Sequence, residues 1–223
     1  MSANVTTLLF DAGGTLVMPS FRRMAHEYAR DGVVVAADQL ARGEALARLA
    51  FDRGEYVRVH TDAWLNFMFE IARLAEVEPP PVAAFERLRA YHDRENLWED
   101  VIAGTEAALA ALAGRYRLGV ISNANGTVKR CFARLGLARF FETIVDSTEV
   151  GIEKPDVRIF QHALREMNVG AAEAVYVGDV FKIDVLGARA AGLRPILLDP
   201  HGFHADKACD RIAALADLAA LLP

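Results

Sequence analysis

Residues 8–17, LLFDAGGTLV, place one carboxylate, Asp11, at the end of an apolar run and follow it at once with two glycines and a threonine. The run begins at Val5 and consists of apolar and β-branched residues, a composition typical of a buried strand. The glycines after Asp11 are typical of a tight loop. The segment therefore predicts a buried strand over residues 5–10 that delivers a carboxylate to the loop at its carboxyl end.

Four further apolar runs have the same character, at residues 117–121, 142–146, 174–178 and 194–198. Segments with the helical period follow two of them, at residues 127–137 and 156–168. Strands that alternate with helices indicate a parallel sheet covered on both faces. The sequence therefore predicts an α/β fold.

The first two predicted strands are about a hundred residues apart, far more than a simple crossover between parallel strands requires. The intervening sequence contains four segments with helical periodicity, at residues 21–32, 38–54, 61–77 and 82–97. We therefore predict a helical domain at residues 17–97, inserted into a core formed by residues 1–16 and 98–223.

Composition limits the classes of function. The 223 residues carry a formal net charge of −5, which gives no general electrostatic reason to bind nucleic acid or an anionic membrane. The two cysteines, Cys131 and Cys209, have neither a metal-binding nor a disulfide-like spacing. The first apolar stretch lacks a basic flank and runs directly into Asp11, unlike a signal peptide. We expect a cytoplasmic protein, monomeric or homodimeric, with reduced thiols.

Polar residues lie at the ends of three predicted strands: Asp11 after the first, Ser122 after the second and Asp179 after the fourth. The segment "EKPD" adds Lys154, in the loop before a helix that Pro155 can start. Ligands of parallel sheets bind at the carboxyl ends of the strands. We therefore expect these side chains to meet at one place.

The chemistry of that place follows from the residue types. Asp11, Asp179 and Asp184 bring like charges together, which raises their pKa values or requires a cation. Three oxygen ligands suit Mg²⁺. Ser122, neighbouring backbone amides and Lys154 would hold a phosphate. Asp11 would then be a carboxylate nucleophile beside a neutralised electrophile.

The segments "FDAGGTL", "ISNAN", "EKP" and "VGDVFKIDVLGARAAG" resemble, in order, the four motifs of the haloacid dehalogenase (HAD) superfamily, and the helical insert resembles its type 1 cap. The resemblance covers essentially the whole chain. It implies a Rossmann-like core with an inserted α-helical cap. It also implies Mg²⁺-dependent hydrolysis of a phosphate ester, through a covalent aspartyl intermediate.

The resemblance assigns a role to eight positions. They are the catalytic residues Asp11, Ser122 and Lys154; the substrate-binding residues Gly14, Ser122, Asn123 and Lys154; and the metal site formed by Asp11, the carbonyl of Gly13, Asp179 and Asp184. For Asp184 an alternative is open, because a carboxylate near a helix N-terminus is also stabilised by the helix dipole.

Gly13 departs from the family pattern. Phosphatases of this family usually carry Asp at this position, as the general acid that protonates the leaving alcohol and the base that activates water. General acid–base catalysis typically contributes about 10²–10⁴ in rate. A histidine of the insert, His26, His60 or His92, is a candidate to replace it, although we expect these residues to lie at the surface.

Two other functions fit a glycine at this position. A haloacid dehalogenase needs no acid there, but it works without metal and lacks the "GDVFKID" pattern. A HAD-fold binding protein with weak turnover is the second alternative. Phosphonoacetaldehyde hydrolases use a lysine of the cap, and the insert has none, because the lysines are Lys129, Lys154, Lys182 and Lys207. We favour a phosphatase acting on a small phosphorylated metabolite.

A second group of metal-ligating residue types follows the last predicted strand, in "DPHGFHADKAC": His201, His204, Asp206 and Cys209. No ligand pair in this segment has a recognised metal-binding spacing. We therefore predict a polar loop after an edge strand rather than a transition-metal site.

Overall fold

Residues 4–222, which the computed structural model describes, contain eight strands and ten α-helices. The strands are β1 (Thr7–Phe10), β2 (Val17–Pro19), β3 (Trp98–Val101), β4 (Arg117–Ser122), β5 (Thr143–Asp146), β6 (Ala174–Gly178), β7 (Arg194–Leu198) and β8 (Asp210–Ile212). The helices are α1 (Phe21–Ala29), α2 (Ala37–Arg53), α3 (Ala63–Leu74), α4 (Val82–Glu95), α5 (Thr105–Ala113), α6 (Val128–Arg134), α7 (Ser147–Val150), α8 (Val157–Glu166), α9 (Leu186–Ala190) and α10 (Leu218–Leu221).

Six strands form one parallel sheet in the order β5–β4–β1–β6–β7–β8. β1 lies between β4 and β6, with Phe10 opposite Val120 on one side and Val177 on the other. This arrangement confirms the predicted α/β fold with a parallel sheet. Because β1 is flanked on both sides and covered on both faces, its four residues are all buried.

The alternation of side chains along β1 builds a core on each face of the sheet. Leu8 and Phe10 belong to a cluster that includes residues of α5, α6 and α10. Leu9 belongs to a second cluster, with residues of α8 and α9. Burying each such side chain contributes about 1.5–3 kcal/mol. The two clusters fix β1, and therefore the position at which its carboxyl end emerges.

Three short strands were not predicted from the sequence: β2, β3 and β8. β2 pairs with β3 in a separate two-stranded sheet, and β8 pairs with β7 in parallel. The expectation that residues 194–198 form an edge strand is therefore wrong, since β8 lies outside them. The segment after β7 is a connection between two paired strands.

The described part of the chain divides into two compact units. The core unit extends to Met18 and resumes at Trp98, and the insert unit is Pro19–Leu97. The insert unit begins two residues later than the sequence indicates, because Val17 and Met18 lie in β2 and group with the core unit.

The insert unit has its own core of residues that are fully buried, such as Met24, Tyr28, Met68 and Phe85. α2 and α3 approach closely at Gly43, where an added Cβ would lie 2.6 Å from the carbonyl oxygen of Ile71. The two ends of the unit are adjacent, since the amide of Ser20 donates to the carbonyl of Leu97 at 2.9 Å. Within residues 4–222, every helix is too short or too polar to cross a lipid bilayer.

Candidate active site

The carboxyl ends of β1, β4 and β6 bring Asp11, Ser122 and Asp179 to one edge of the sheet, and all three side chains are buried. The amide of Asp11 donates to the carbonyl of Val177 at 2.8 Å, which extends the β1–β6 pairing into the loop. Thr15 donates its hydroxyl to Asp179 Oδ1 at 3.2 Å. The convergence follows from strand order, because β1 is the neighbour of both other strands.

Lys154 is buried among the carboxylates. Its Nζ forms an ion pair with Asp11 and a second with Asp184 at 2.9 Å, and it donates to the hydroxyl of Tyr176 at 2.8 Å. Burial alone lowers the pKa of Lys154, but the charges of Asp11 and Asp184 raise it above the ordinary lysine value. The ammonium is therefore a permanent positive charge beside Asp11.

The carboxylates of Asp11, Asp179 and Asp184 each offer an oxygen within 4.8 Å of the others. Burial, opposed by Lys154 and reinforced by the charges of Asp184 and Asp179, raises the pKa of Asp11 to about 8. Three buried carboxyl groups share one ammonium, so ionisation of all three requires a further cation, such as a divalent metal ion. The residues present therefore fit a divalent metal ion.

Asp184 lies in a π-helical turn, Phe181–Val185, that follows β6. Its Oδ2 accepts from the amide of Val180 at 2.9 Å, and its Oδ1 accepts from Lys154 and Tyr176. Gly178 permits this position, because an added Cβ would lie 2.5 Å from the Cβ of Asp184. Asp184 is part of the charged cluster rather than a solvated carboxylate at a helix terminus.

Two residues that the resemblance assigns to substrate binding are engaged within the protein. Asn123 forms two hydrogen bonds with the backbone of Lys154: its Nδ2 donates to the carbonyl at 3.0 Å, and its Oδ1 accepts from the amide at 2.8 Å. The amide of Gly14, a residue with φ of 82°, donates to the carbonyl of Val17 at 2.7 Å. Asn123 therefore positions Lys154, and Gly14 closes the loop.

Gly13 lies in the same loop and forms an isolated bridge with Val17. An added Cβ at Gly13 would lie 3.0 Å from Cδ1 and 3.0 Å from Nε1 of Trp98, the first residue of β3. The space in which most relatives are expected to carry a carboxylate is therefore next to an indole ring.

Two further residues of the site were missed by sequence reasoning. Tyr176 lies inside the apolar run of β6, where it has the pattern of a core residue. Asp146, at the end of β5, accepts from the amides of Gly126 and Thr148 at 3.0 Å each, which holds the loop after β4. The one signal in the sequence was that Asp146 ends an apolar run, as Asp11 does.

The histidines of the insert differ in their surroundings. His26 and His60 are exposed. His92, also expected at the surface, is half-buried instead: its ring stacks on Trp64, with centroids 5.7 Å apart, and its Nδ1 accepts from the amide of Leu97 at 3.1 Å. Burial lowers the pKa of His92 to about 4, so at neutral pH the ring is a neutral imidazole and not the imidazolium that would act as a general acid.

The segment after β7 does not assemble a metal site. His204 is buried, stacks on Phe181 with centroids 6.5 Å apart, and lies with its Nδ1 3.5 Å from Asp199 Oδ1. Among residues 4–222, the one group of three potential metal ligands is Asp11, Asp179 and Asp184. His201, Asp206 and Cys209 are not part of it.

Residues 5–192 match the sequence model of the haloacid dehalogenase-like hydrolases. The protein belongs to this family. It is 33% identical over 199 residues to the glyceraldehyde 3-phosphate phosphatase of Methanothermobacter thermautotrophicus, an alignment that spans 86% of this chain and 84% of the relative. The match identifies the chain as a HAD-like hydrolase.

Solved structures of HAD hydrolases have the same fold. A HAD-hydrolase from Bacillus subtilis bound to magnesium is 19% identical and superposes with a TM-score of 0.70 over 98% of this chain and 99% of its own. The 2-haloacid dehalogenase from Pseudomonas syringae pv. tomato is 26% identical, with a TM-score of 0.56 over 97% of each chain. Structures with this fold therefore include a HAD-hydrolase bound to magnesium and a haloacid dehalogenase.

Proposed function

We propose that this HAD hydrolase is a Mg²⁺-dependent phosphatase that cleaves a small phosphorylated metabolite through a covalent aspartyl phosphate. The observation that carries the proposal is the ion pair of Asp11 with the buried Lys154, next to two further buried carboxylates. A lone structural ion pair would not require Asp179 and Asp184. An anionic nucleophile that must approach an anionic phosphate does require positive charge around it.

In the first step, a carboxylate oxygen of Asp11 forms a bond to phosphorus while the bond from phosphorus to the ester oxygen breaks, and the leaving oxygen takes the electron pair. Lys154 balances the charge that the phosphoryl group brings, and Ser122 donates to a phosphoryl oxygen. Water then attacks the phosphorus of the aspartyl phosphate, which releases phosphate and restores the Asp11 carboxylate. The proton of that water passes to the product phosphate or to solvent.

Mg²⁺ would be held by Asp11, Asp179, Asp184 and the carbonyl of Gly13. When bound, it supplies the positive charge that neutralises the transferring phosphoryl oxygens. Thr15, which donates to Asp179 Oδ1, and Val180, whose amide donates to Asp184 Oδ2, orient the two carboxylates from outside the site. Asp184 Oδ1 also accepts from Lys154 and Tyr176, so three donors fix the position of this carboxylate.

The phosphatase of Methanothermobacter thermautotrophicus supports a small phosphate ester as substrate. Its name alone does not fix the ester, because residues 19–97 are an insert unit with its own core, in a position where the family's cap selects the substrate. The cytoplasmic location, and the monomeric or homodimeric state, stay predictions of the sequence.

Metal-independent dehalogenation is a second candidate, which Gly13 favours because a halide leaves without a proton. The similarity to the dehalogenase from Pseudomonas syringae supports the same candidate. The buried pair of Asp179 and Asp184 opposes it, because a reaction without metal has no use for two additional carboxylates beside the nucleophile. A weakly active binding protein is the third possibility.

Measurements of phosphate release and halide release, with Mg²⁺ and with EDTA, separate the phosphatase, the dehalogenase and the binding protein. We expect purified protein to release phosphate from p-nitrophenyl phosphate in Mg²⁺, to stop in excess EDTA, and to release no halide from 2-chloropropionate. Asp11→Asn is expected to lower turnover at least 10³-fold, by removing the nucleophile, whereas Asp206→Asn, at an exposed carboxylate, is expected to retain it. Halide release in EDTA would establish the dehalogenase, and phosphate binding without turnover the binding protein.

A further inference from the structure

The backbone does not explain why position 13 is a glycine. Gly14 has a positive φ of 82°, which favours glycine, but Gly13 is not among the glycines with positive φ. Its φ therefore lies outside the left-handed region that favours glycine. What a side chain at position 13 would meet is the indole of Trp98, at 3.0 Å from the first added carbon.

Trp98 is held firmly in that place. Its side chain is partly buried and packs against the core cluster that contains Leu8 and Phe10. Its backbone belongs to β3, paired with β2, and its carbonyl accepts from Cys131 Sγ at 3.5 Å. An aspartate at position 13 would add three atoms beyond a Cβ that already lies 3.0 Å from the ring. The indole of Trp98 therefore fits beside a glycine at position 13.

We infer that Trp98 excludes a general acid from position 13: its indole takes the volume that the side chain of such an acid would occupy, and the lack of that acid limits the enzyme to phosphates whose leaving group departs as an anion. This inference rests on the proposed phosphatase function. The substrate class is an aryl or acyl phosphate. An aryloxide or carboxylate leaves with the electron pair of the broken bond and takes its proton, if any, from water afterwards. A simple alkoxide is too basic to leave in this way.

The test is a double-mutant cycle between positions 13 and 98, with kcat/KM measured for an alkyl phosphate and an aryl phosphate. Gly13→Asp alone is expected to change the alkyl-to-aryl ratio less than threefold, because the new carboxylate cannot be seated beside the indole. Trp98→Ala alone supplies no acid and is expected to leave the ratio unchanged. The double variant is expected to raise the ratio by about 10–10². An equal rise in Gly13→Asp alone, or no rise in the double variant, would overturn the inference.

A second measurement needs no activity. Gly13→Ala adds only the Cβ, and is expected to lower the melting temperature by about 2–4 °C in the wild-type background and not at all in Trp98→Ala. Trp98→Leu serves as the background if Trp98→Ala does not fold. Gly114→Ala is the matched control, because its Cβ would meet only the Ala111 carbonyl oxygen, at 4.0 Å. Equal losses in both backgrounds would refute the steric pairing, whereas a wild type that cleaves neither ester while the pairing holds would refute only the phosphatase.

Discussion

At the scale of single residues, hydrogen bonds fix both the ammonium and the backbone of Lys154. A lysine ammonium has three N–H donors, and three acceptors surround this one: Asp11, Asp184 and the hydroxyl of Tyr176. Asn123 fixes the backbone of the same residue with two hydrogen bonds. The positive charge beside Asp11 is thus oriented from both ends of the lysine side chain.

Tyr176→Phe tests this orientation. The substitution keeps the ring, which packs edge-on against Phe160 with centroids 5.1 Å apart, and removes the hydroxyl that bonds to Lys154 and Asp184. We expect kcat to fall about tenfold with little change in KM, and the free energy of unfolding to fall by about 1.5–3 kcal/mol, the contribution of a hydrogen bond to a charged group. Phosphate-release kinetics and urea unfolding measure both quantities.

Tyr28→Phe is the matched control for that experiment. Tyr28 is a fully buried tyrosine of the insert unit, and within residues 4–222 its hydroxyl has no hydrogen-bond partner. Removing an unsatisfied buried hydroxyl is expected to leave stability unchanged or to raise it. If Tyr176→Phe behaved like Tyr28→Phe in both assays, the hydroxyl of Tyr176 would have no part in holding Lys154.

At the scale of elements, the strands with long apolar runs and the helices with regular apolar periodicity are predictable from the sequence. The central strands β4, β6 and β7 and the helices of the insert lie within a few residues of their predicted bounds, because each carries a complete apolar stripe. β2, β3 and β8 are three or four residues long and contain Pro19, Glu99 or Asp210. Such strands have no pattern of their own and form only where a neighbouring strand supplies the hydrogen bonds.

The candidate site shows the same division. The meeting of Asp11, Ser122 and Asp179 is predictable because the carboxyl ends of parallel strands lie at one edge of the sheet. Lys154 joins them from the loop before α8. The contact of Trp98 with Gly13 links positions far apart in the sequence, and no spacing signals it. Tyr176 was missed for a different reason: a tyrosine in a buried strand has the same pattern whether its hydroxyl touches a lysine or not.

The end of α4 yields a pH prediction. His92 accepts the amide of Leu97 through Nδ1, and burial lowers its pKa from 6.5 to about 4. The unfolded chain therefore binds a proton at a higher pH than the folded protein does. The contribution of His92 to the free energy of unfolding is fully present above pH 6.5. It is lost as the pH falls towards 4, by up to about 3 kcal/mol.

Thermal unfolding followed between pH 7 and pH 4 measures this loss. His92→Gln retains an acceptor and cannot be protonated, so we expect a shallower fall in stability than in the wild type. His26→Gln, at an exposed histidine, is the control and is expected to follow the wild type. Identical pH dependence in the His92→Gln variant and the wild type would show that another group causes the loss.

At the scale of the whole molecule, the four charged residues of the candidate site belong to the core unit, although the insert unit separates them in the sequence. Asp11 precedes the insert unit, whereas Lys154, Asp179 and Asp184 follow it, and all four lie in the core unit. The insert unit closes on itself at the hydrogen bond between Ser20 and Leu97. The parts that would hold metal and phosphate can therefore be separated from the part that would select the substrate.

This separation predicts the behaviour of a variant in which residues 19–97 are replaced by a linker of about five glycine and serine residues. Because the ends of the insert unit are adjacent, a short linker spans the gap at little cost in loop entropy. The core keeps both apolar clusters and all three carboxylates, so it is expected to unfold cooperatively and to bind Mg²⁺.

At 100 times the Kd, Mg²⁺ is expected to stabilise the shortened core by about 2.7 kcal/mol. Asp179→Asn in the same shortened chain, which removes one ligand of the proposed metal site, is expected to abolish most of that stabilisation. Thermal melts with and without Mg²⁺ measure both effects, and a shortened core that folds yet gains equally from Mg²⁺ with and without Asp179 would place the metal elsewhere.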